Sequence, residues 1–555
     1  MTPESGLSPL CELATAHGVA VDGAGGSPVP EQTVRLVLEA LGVPASTDGE
    51  VRLSLATHRA QWRPLPAAVT ARAGRGERVA AWVPEGRTAS ALVTTAAGRE
   101  RQLRVEPRPD LARPAGRDRV VPVTVVVPGD LPVGQHLLTL DFEVSGVSVP
   151  LLVAPQVFPS LPSAHADWGL GGATGLVRAE AGREEADLGD LAELVSWVGA
   201  DLDGHFVIQP PVLRAGVPFA DAQMVRPHEV PEHAALDDGG REAVRRGDRV
   251  TALRALYAAP RGARRQRAFD AFCVAGGQAL LDHATWLVIA GRHGNDVSLW
   301  PAPLRDAGGD EVARLREASA DEVNFHRWCQ WVADEQLAEA AREARRTGMG
   351  LGLVAPLTAP GSASASQAWS LGASPARGVR LGRPPGAGLP EGAVGDQAPW
   401  SPTVVRDLGY APLRRQLEGA SRHAGGLLLT LPERWLRQWW VPDGLPASAG
   451  TWVEQDHEAL LAAVGIAAHR TGAVVLAELH GLVEREAQWL ASQGVLPLAE
   501  AGALERAGGP PSGAAGGTRP LRWVDVGALA DGGELTLERL AGSPAARRRA
   551  RRLTR

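Results

Sequence analysis

Helix-like and strand-like runs alternate along the second two thirds of the sequence, and this alternation constrains the fold more than any other feature. A long helical run at 324–348 leads into the apolar run 349–357, and the same order recurs at 403–431 and 457–479. Parallel strands need a crossover connection of this length, so the pattern predicts a parallel sheet with helices outside it. The spacing alone does not establish that there are eight helix–strand units. A closed (β/α)8 barrel and a doubly wound open sheet both produce this alternation of helices and strands.

Two smaller units precede this region. The runs 10–21 and 29–43 have helical apolar spacing, which predicts a small helical segment over residues 1–47. Residues 48–157 contain short strand-like runs, beginning with 51–62, that Pro, Gly and Asp clusters interrupt. This pattern predicts an antiparallel β-sandwich, with a hairpin turn at Ser145-Gly146 near its end.

The remaining sequence divides into the α/β region and a basic tail. The α/β region is expected to occupy residues 158–545, with a flexible Gly/Pro-rich linker at 506–519. Residues 546–555 form an arginine-rich tail, which we interpret as a solvated terminus.

Composition limits the classes of function. The 555 residues predict two or three domains, and the net charge of −6 argues against nucleic-acid binding. The three cysteines have neither metal-ligand nor disulfide spacing. We find no signal peptide and no apolar run of about 20 residues that would span a membrane. A cytoplasmic protein without a membrane partner is expected.

Five collinear segments resemble bacterial 4-α-glucanotransferases (amylomaltases). These are the HAGG and WWVP runs of residues 423–444, the DEQL run ending at 337, DLGYAPLRRQL at 407–417, DHEALL at 456–461, and the glycine- and proline-rich loop 380–402. The resemblance implies a TIM-type (β/α)8 barrel. It also implies cofactor-free transfer of α-1,4-glucan segments between maltooligosaccharides by double displacement. The sequence stops soon after the resemblance ends, which leaves closure of the barrel open at this point.

The nucleophile position of the family is altered. By the register of HAGG and WWVP, the family's catalytic aspartate corresponds to Thr430. Retaining glycosyl transfer needs a carboxylate there to form the covalent intermediate. Removal of such a nucleophile costs on the order of 10⁴-fold in rate.

One catalytic position is kept. The resemblance places Glu478, at the end of the apolar run 473–479, at the family's acid/base glutamate, although the next residue is Leu479 rather than aspartate. The third carboxylate of the family aligns with Gly532, beside Asp531, and Asp525 is a further candidate. None of them has the family's histidine neighbour, so we expect this aspartate to be absent.

Several glucan-facing positions are also changed. They have become Gly386, Gly388-Leu389, Ala393 and Gly395 in the loop, and Ala355–Leu357 and Pro210–Leu213 at two strand ends. A third family element corresponds best to residues 185–190. Replacements concentrated at strand ends predict loss of catalysis with retention of the fold.

The sequence supports three hypotheses. The first is a family member of α-1,4-glucan metabolism with impaired catalysis. The second is a non-catalytic glucan-binding or regulatory protein with an unknown protein partner. The third is an active transferase whose nucleophile has moved to another carboxylate. No cofactor or metal site is expected.

Overall fold

A computed structural model describes residues 8–60, 63–108, 113–115, 118–142, 145–161, 168–171, 206–208, 219, 222, 225–359, 365–386, 389–478, 482–500 and 521–525. The expected linker at 506–519 and the tail at 546–555 lie outside these residues.

Three helices form the N-terminal unit: α1 (Pro9–Ala16), α2 (Glu31–Ala40) and α3 (Asp48–Ala60). Helix α1 is capped by Ser8, whose side chain accepts from the Cys11 amide. The expected strand at 51–62 is wrong, because residues 51–60 belong to α3. Val51 and Leu55 of α3 are buried together with Leu13 and Val37, whereas Leu53 is 68% exposed. A buried pair spaced i, i+4 is a helical face.

Eight strands form the sandwich, and they are numbered β1 to β8 in chain order. One continuous path of hydrogen bonds joins them in the order β1-β8-β7-β3-β4-β6-β2, with β5 beside β6. Strand β4 pairs with β3 through its first half and with β6 through its second half, so it passes from one sheet to the other. Their bounds are Val69–Arg72, Glu77–Pro84, Ser90–Thr94, Glu100–Pro107, Arg113–Ala115, Asp118–Val127, Gly134–Phe142 and Ser145–Ala154.

The expected hairpin between β7 and β8 is present, but its turn lies elsewhere. Phe142 pairs with Ser145 and Asp141 pairs with Gly146, so both expected turn residues belong to β8. The connection falls at residues 143–144, outside the described part of the chain.

Seven described parallel strands close into a barrel in the order β10-β11-β14-β17-β18-β19-β9. The final strand pairs with the first, Trp523 opposite Gly169, so the barrel closes. An eighth strand is not among the described residues. The bounds are β9 Trp168–Gly171, β10 Phe206–Ile208, β11 Gly352–Thr358, β14 Gly426–Thr430, β17 Val474–Glu478, β18 Leu496–Glu500 and β19 Leu521–Asp525.

A second sheet, which the sequence did not predict, lies beside the barrel. Its order is β13-β12-β15-β16, with bounds β12 Val379–Arg383, β13 Ala393–Val394, β15 Arg437–Pro442 and β16 Thr451–Glu454. The N-terminal helices pack on it. The Thr33 hydroxyl donates to the Ala449 carbonyl at 2.7 Å, and Val19 bridges Val453. Trp439 and Trp440 of β15 are 2% and 0% exposed, so they belong to the core.

The helices that surround the barrel supply its outer layer. Helix α13 (His457–Thr471) lies against strand β8 of the sandwich, and Leu152 and Phe158 join the core beneath it. The helices after α3 are α4 Asp238–Arg246, α5 Arg249–Ala258, α6 Ala263–His293, α7 Asp310–Ala318, α8 Ala320–Arg346, α9 Ala365–Ser370, α10 Pro402–Asp407, α11 Ala411–Ala420, α12 Glu433–Leu436, α13 His457–Thr471 and α14 Glu484–Ser492.

Helix α6 is long and apolar enough to cross a membrane by length and composition alone. Within its most apolar window, 44% of the residues are buried inside the protein, and the core helix of a soluble protein passes the same test. Gly277, at φ 51°, interrupts the helix, and Phe269 and Cys273 pack in a core shared with α8.

Candidate active site

Side-chain alternation along the barrel strands fixes which residues reach the mouth of the barrel. Leu428 of β14 and Leu476 of β17 belong to the core inside the barrel, whereas Leu427, Leu429, Val475 and Ala477 pack outside, under the helices. Two residues further along their strands are Thr430 and Glu478, which therefore occupy inward positions at the C-terminal ends. In barrels of this type the chemistry is carried at this end.

Thr430 lies at the end of β14, opposite Thr358 of β11. Its hydroxyl donates a hydrogen bond of 2.9 Å to the Leu357 carbonyl oxygen on that strand. The side chain is half-buried and its proton is held by the backbone of the barrel. The predicted nucleophile position is therefore a neutral, hydrogen-bonded side chain.

Glu478 ends the neighbouring strand β17. Ala477 pairs with Leu429, one residue before Thr430, and Glu478 itself pairs with Leu498 of β18. The side chain is half-buried. The structure thus places the two predicted site residues on adjacent strand ends.

A second carboxylate at this end was missed by the sequence analysis. Glu433 is the first residue of α12, three residues beyond Thr430, and it is half-buried. Leu431 between them has a φ of 46°, a left-handed conformation that costs energy in a non-glycine residue. This turn and the buried Pro432 set the start of α12 beside the strand end. The sequence did offer one indication of this residue, because a glutamate stands between the HAGG and WWVP runs.

The environment of Glu433 favours its protonated form. Burial raises the pKa of Glu433 above its ordinary value, and the negative charge of Glu478 acts in the same direction. The positive charges of Arg434 and Arg383 oppose this effect. Burial also lowers the pKa of Arg434. Two carboxylates and two guanidinium groups therefore interact electrostatically at this end of the barrel.

The family-like motifs contact each other at structural positions. Asp334, from the DEQL run, accepts from His423 Nε2 at 3.0 Å and from Arg422 Nη1 at 2.8 Å, just before β14 begins. Burial would raise the pKa of Asp334, but these two partners outweigh it and lower the pKa. The contact lies at the N-terminal end of the strand, which in such barrels contributes to stability.

A second motif contact joins α13 to the loop before α11. The Tyr410 hydroxyl donates to Asp456 Oδ2 at 2.5 Å, and the other oxygen of Asp456 accepts from the Ala459 amide at the start of α13. Burial, with the charge of Asp456, raises the pKa of Tyr410. These two contacts between family-like segments thus stabilise the framework of the barrel.

Several expected positions lie outside the described residues: 185–190, 210–213, Gly388, Leu479, Asp531 and Gly532. Asp525 is the last residue of β19. In the loop after β12, Gly386 and Leu389 form a reciprocal pair of backbone hydrogen bonds of 3.0 Å. Gly395 donates its amide to the Leu381 carbonyl at 2.7 Å. These glycine positions contribute backbone hydrogen bonds and no polar side chain.

Other reactive side chains belong to the core. Cys273 and Cys329 are buried, and burial raises the pKa of the Cys329 thiol to about 12, so it is not a nucleophile. His283 is buried against Ser366 Oγ at 2.8 Å and stacks on Phe219. Among the described residues, no group of His, Cys, Asp and Glu has metal-binding geometry.

A groove of about 660 Å³ separates the sandwich from the barrel helices α11 and α13. Its floor is apolar, with Leu152, Leu417 and Ile466, and Arg414 and Arg470 lie at its edge. Neither Thr430 nor Glu478 lines this groove. We therefore place the candidate active site at the barrel mouth.

Comparison with known proteins gives a consistent result. The 4-alpha-glucanotransferase family profile matches residues 241–502, and the MalQ N-terminal beta sandwich domain matches residues 64–155. The 4-alpha-glucanotransferase of Mycobacterium tuberculosis is 33% identical over 524 residues, covering 86% of this chain and 72% of that protein. That of Haemophilus influenzae is 28% identical over 175 residues, 32% of this chain and 25% of that protein.

Solved structures support the same fold. The amylomaltase of Corynebacterium glutamicum superimposes with a TM-score of 0.77 at 24% identity, covering 98% of this chain and 84% of that one. The Streptococcus agalactiae amylomaltase, solved in complex with acarbose, gives 0.51 at 14% identity, covering 60% and 73%. From the mycobacterial identity and the family match, this chain belongs to the 4-alpha-glucanotransferase family.

Proposed function

We propose that this protein binds α-1,4-glucan chains but does not catalyse their transfer by double displacement. One observation carries the proposal: the residue at the nucleophile position is Thr430, whose hydroxyl is bonded to the Leu357 carbonyl. Retaining transfer passes through a glycosyl ester on a carboxylate. A neutral hydroxyl that donates its proton to the backbone cannot form that ester.

The proposed ligand is a maltooligosaccharide. The family acts on α-glucans, and the Streptococcus agalactiae amylomaltase was solved with acarbose. The changes to Ala, Gly and Pro at the loop and strand-end positions remove hydrogen-bonding side chains. Each lost hydrogen bond reduces affinity by roughly 0.5–1.5 kcal/mol, so we expect binding weaker than that of an active relative.

A regulatory role is the second candidate. The bonds Asp334–His423 and Tyr410–Asp456 maintain the barrel although the nucleophile is gone. A folded glucan-binding protein without transferase activity fits control of other glucan enzymes, through a protein partner not yet identified. The three free cysteines fit the cytoplasm, where thiols stay reduced.

The test is a maltotriose disproportionation assay with the Mycobacterium tuberculosis relative as the positive control. We expect no oligomers longer than maltotriose, at a sensitivity of about 10⁻⁴ of the control rate. Calorimetric titration with maltoheptaose should show saturable binding. Longer oligomers at an ordinary rate, or absence of any glucan binding, would refute the proposal.

A further inference from the structure

Two carboxylates approach the same strand end from different elements. Glu478 ends β17, and Glu433 begins α12 directly after β14. The two strands are neighbours, with Leu429 paired to Ala477. Leu431 has a left-handed backbone immediately after Thr430, and its carbonyl accepts from the Arg434 amide at 2.9 Å in the turn that begins α12. The fold therefore holds a second carboxylate close to the position from which the family's aspartate is missing.

The two groups have different surroundings. Burial raises the pKa of Glu433, and the charge of Glu478 raises it further, whereas Arg434 and Arg383 act against both. When one carboxylate of a pair holds its proton and the other is ionised, the pair has a general acid and a general base. Of these two carboxylates, Glu433 is the one whose burial raises its pKa, and this assigns it the role of the acid.

We propose that Glu433 is a further catalytic residue, the general acid of an α-1,4-glucan hydrolysis in which Glu478 is the general base. This inference rests on the glucan binding proposed above. It requires no nucleophile at position 430, because water attacks the sugar directly. The proposed reaction is therefore hydrolysis, which differs from the transfer of glucan segments.

The step balances with water as the only co-reactant. The Glu433 carboxylic acid gives its proton to the glycosidic oxygen as the bond from that oxygen to the anomeric carbon breaks. The Glu478 carboxylate takes a proton from the water whose oxygen forms the new bond to that carbon. The two carboxyl groups end with exchanged protonation states, which solvent restores. A single displacement inverts the anomeric configuration.

The experiment is the hydrolysis of maltoheptaose by the full chain, followed by chromatography for product length and by proton NMR for the anomer first formed. The variants are Glu433→Gln and Glu478→Gln. Glu484→Gln is the matched control, since Glu484 is the exposed first residue of α14, the helix that follows β17. Thermal unfolding and maltoheptaose titration on each variant separate loss of chemistry from loss of fold or binding.

The expected result is slow release of shorter β-anomeric products without longer oligomers. Glu433→Gln and Glu478→Gln should each lower the rate at least about 100-fold with binding retained, the usual effect of losing a general acid or base. Glu484→Gln should leave it unchanged. No hydrolysis by the wild type, or equal hydrolysis by Glu433→Gln, overturns this inference while glucan binding stands. Absence of binding overturns the proposed function itself.

Discussion

Thr430 and Glu478 end adjacent parallel strands of the barrel, one residue beyond the pair Leu429 and Ala477. By the motif register, the sequence predicts that they correspond to the family's nucleophile and acid/base, and of the two only Glu478 is a carboxylate. The Thr430 hydroxyl bonds Leu357 on the next strand. This bond gives Thr430 a structural role, and a proton-transfer role for Glu478 stays a prediction.

Thr430→Val should affect stability and not catalysis. The change removes the 2.9 Å bond to the Leu357 carbonyl, and we expect a loss of about 0.5–1.5 kcal/mol in the free energy of unfolding. Urea denaturation measures it. Thr430→Ser keeps a hydroxyl and should lose less. A Thr430→Val protein of unchanged stability, but with reduced maltoheptaose hydrolysis, would assign Thr430 a chemical role.

Gly465→Ala tests the junction between the sandwich and the barrel. A Cβ at this position of α13 would lie 2.4 Å from the Phe158 ring, so the ring or the helix must move. Overpacking of this kind costs about 1–3 kcal/mol, which thermal or urea unfolding would detect. Combining it with Phe158→Leu should cost less than the sum of the two single changes. Strict additivity would show that the two residues do not contact.

The barrel is the region that the sequence predicted best, because its helices and strands alternate regularly along the chain. Helices α8, α11 and α13 each precede a buried strand, so their spacing was visible in the sequence. The run 51–62 misled because Val51, Leu53 and Leu55 alternate as in a strand. Leu53 is 68% exposed, and the buried face is helical. Over so few residues, the two-residue period of a strand and the 3.6-residue period of a helix cannot be distinguished.

The candidate site was half predictable. Motif register selected Thr430 and Glu478, which lie at the ends of adjacent strands, and their catalytic roles stay a prediction. Glu433 was overlooked because its placement depends on the left-handed backbone at Leu431. Leucine does not favour that conformation, so nothing in the sequence indicated it. In the four-stranded sheet beside the barrel, β12 pairs with β15, which lies far from it in the sequence, and local patterns carry no signal for such a pairing.

The buried ion pair between Arg316 and Asp282 should be sensitive to loss of one partner. Their atoms are 2.6 Å apart, the side chains are 17% and 6% exposed, and Gln278 also donates to Asp282. Arg316→Leu leaves an unpaired buried carboxylate, which typically costs about 3–5 kcal/mol. Urea denaturation checks this. The double variant Asp282→Asn with Arg316→Leu should recover part of the loss, and no recovery would contradict the pairing.

Acid should destabilise the protein through the buried His283 and the half-buried His326. Burial lowers the pKa of His283 to about 3 and that of His326 to about 4. The unfolded chain, with pKa near 6.5, binds these protons first, so stability is present above pH 6.5 and falls as the pH drops. The slope is at most about 1.4 kcal/mol per pH unit for each histidine.

Unfolding free energies between pH 7 and pH 5 test this dependence. His283→Gln cannot take up the proton and should show a shallower decline than the wild type. His293→Gln is the control, because His293 is exposed at the end of α6. An identical pH dependence in wild type and His283→Gln would mean that His283 does not resist protonation in the folded state.

The most direct test of the central claim is intact-protein mass spectrometry after incubation with α-maltotriosyl fluoride. This activated donor glycosylates a retaining nucleophile without needing a general acid. Using Glu478→Gln slows breakdown of any adduct, and the corresponding variant of the Mycobacterium tuberculosis relative is the positive control. We predict an adduct on the relative and none on this protein. A maltotriosyl ester on this chain, at Glu433 or at any other carboxylate, would contradict the account.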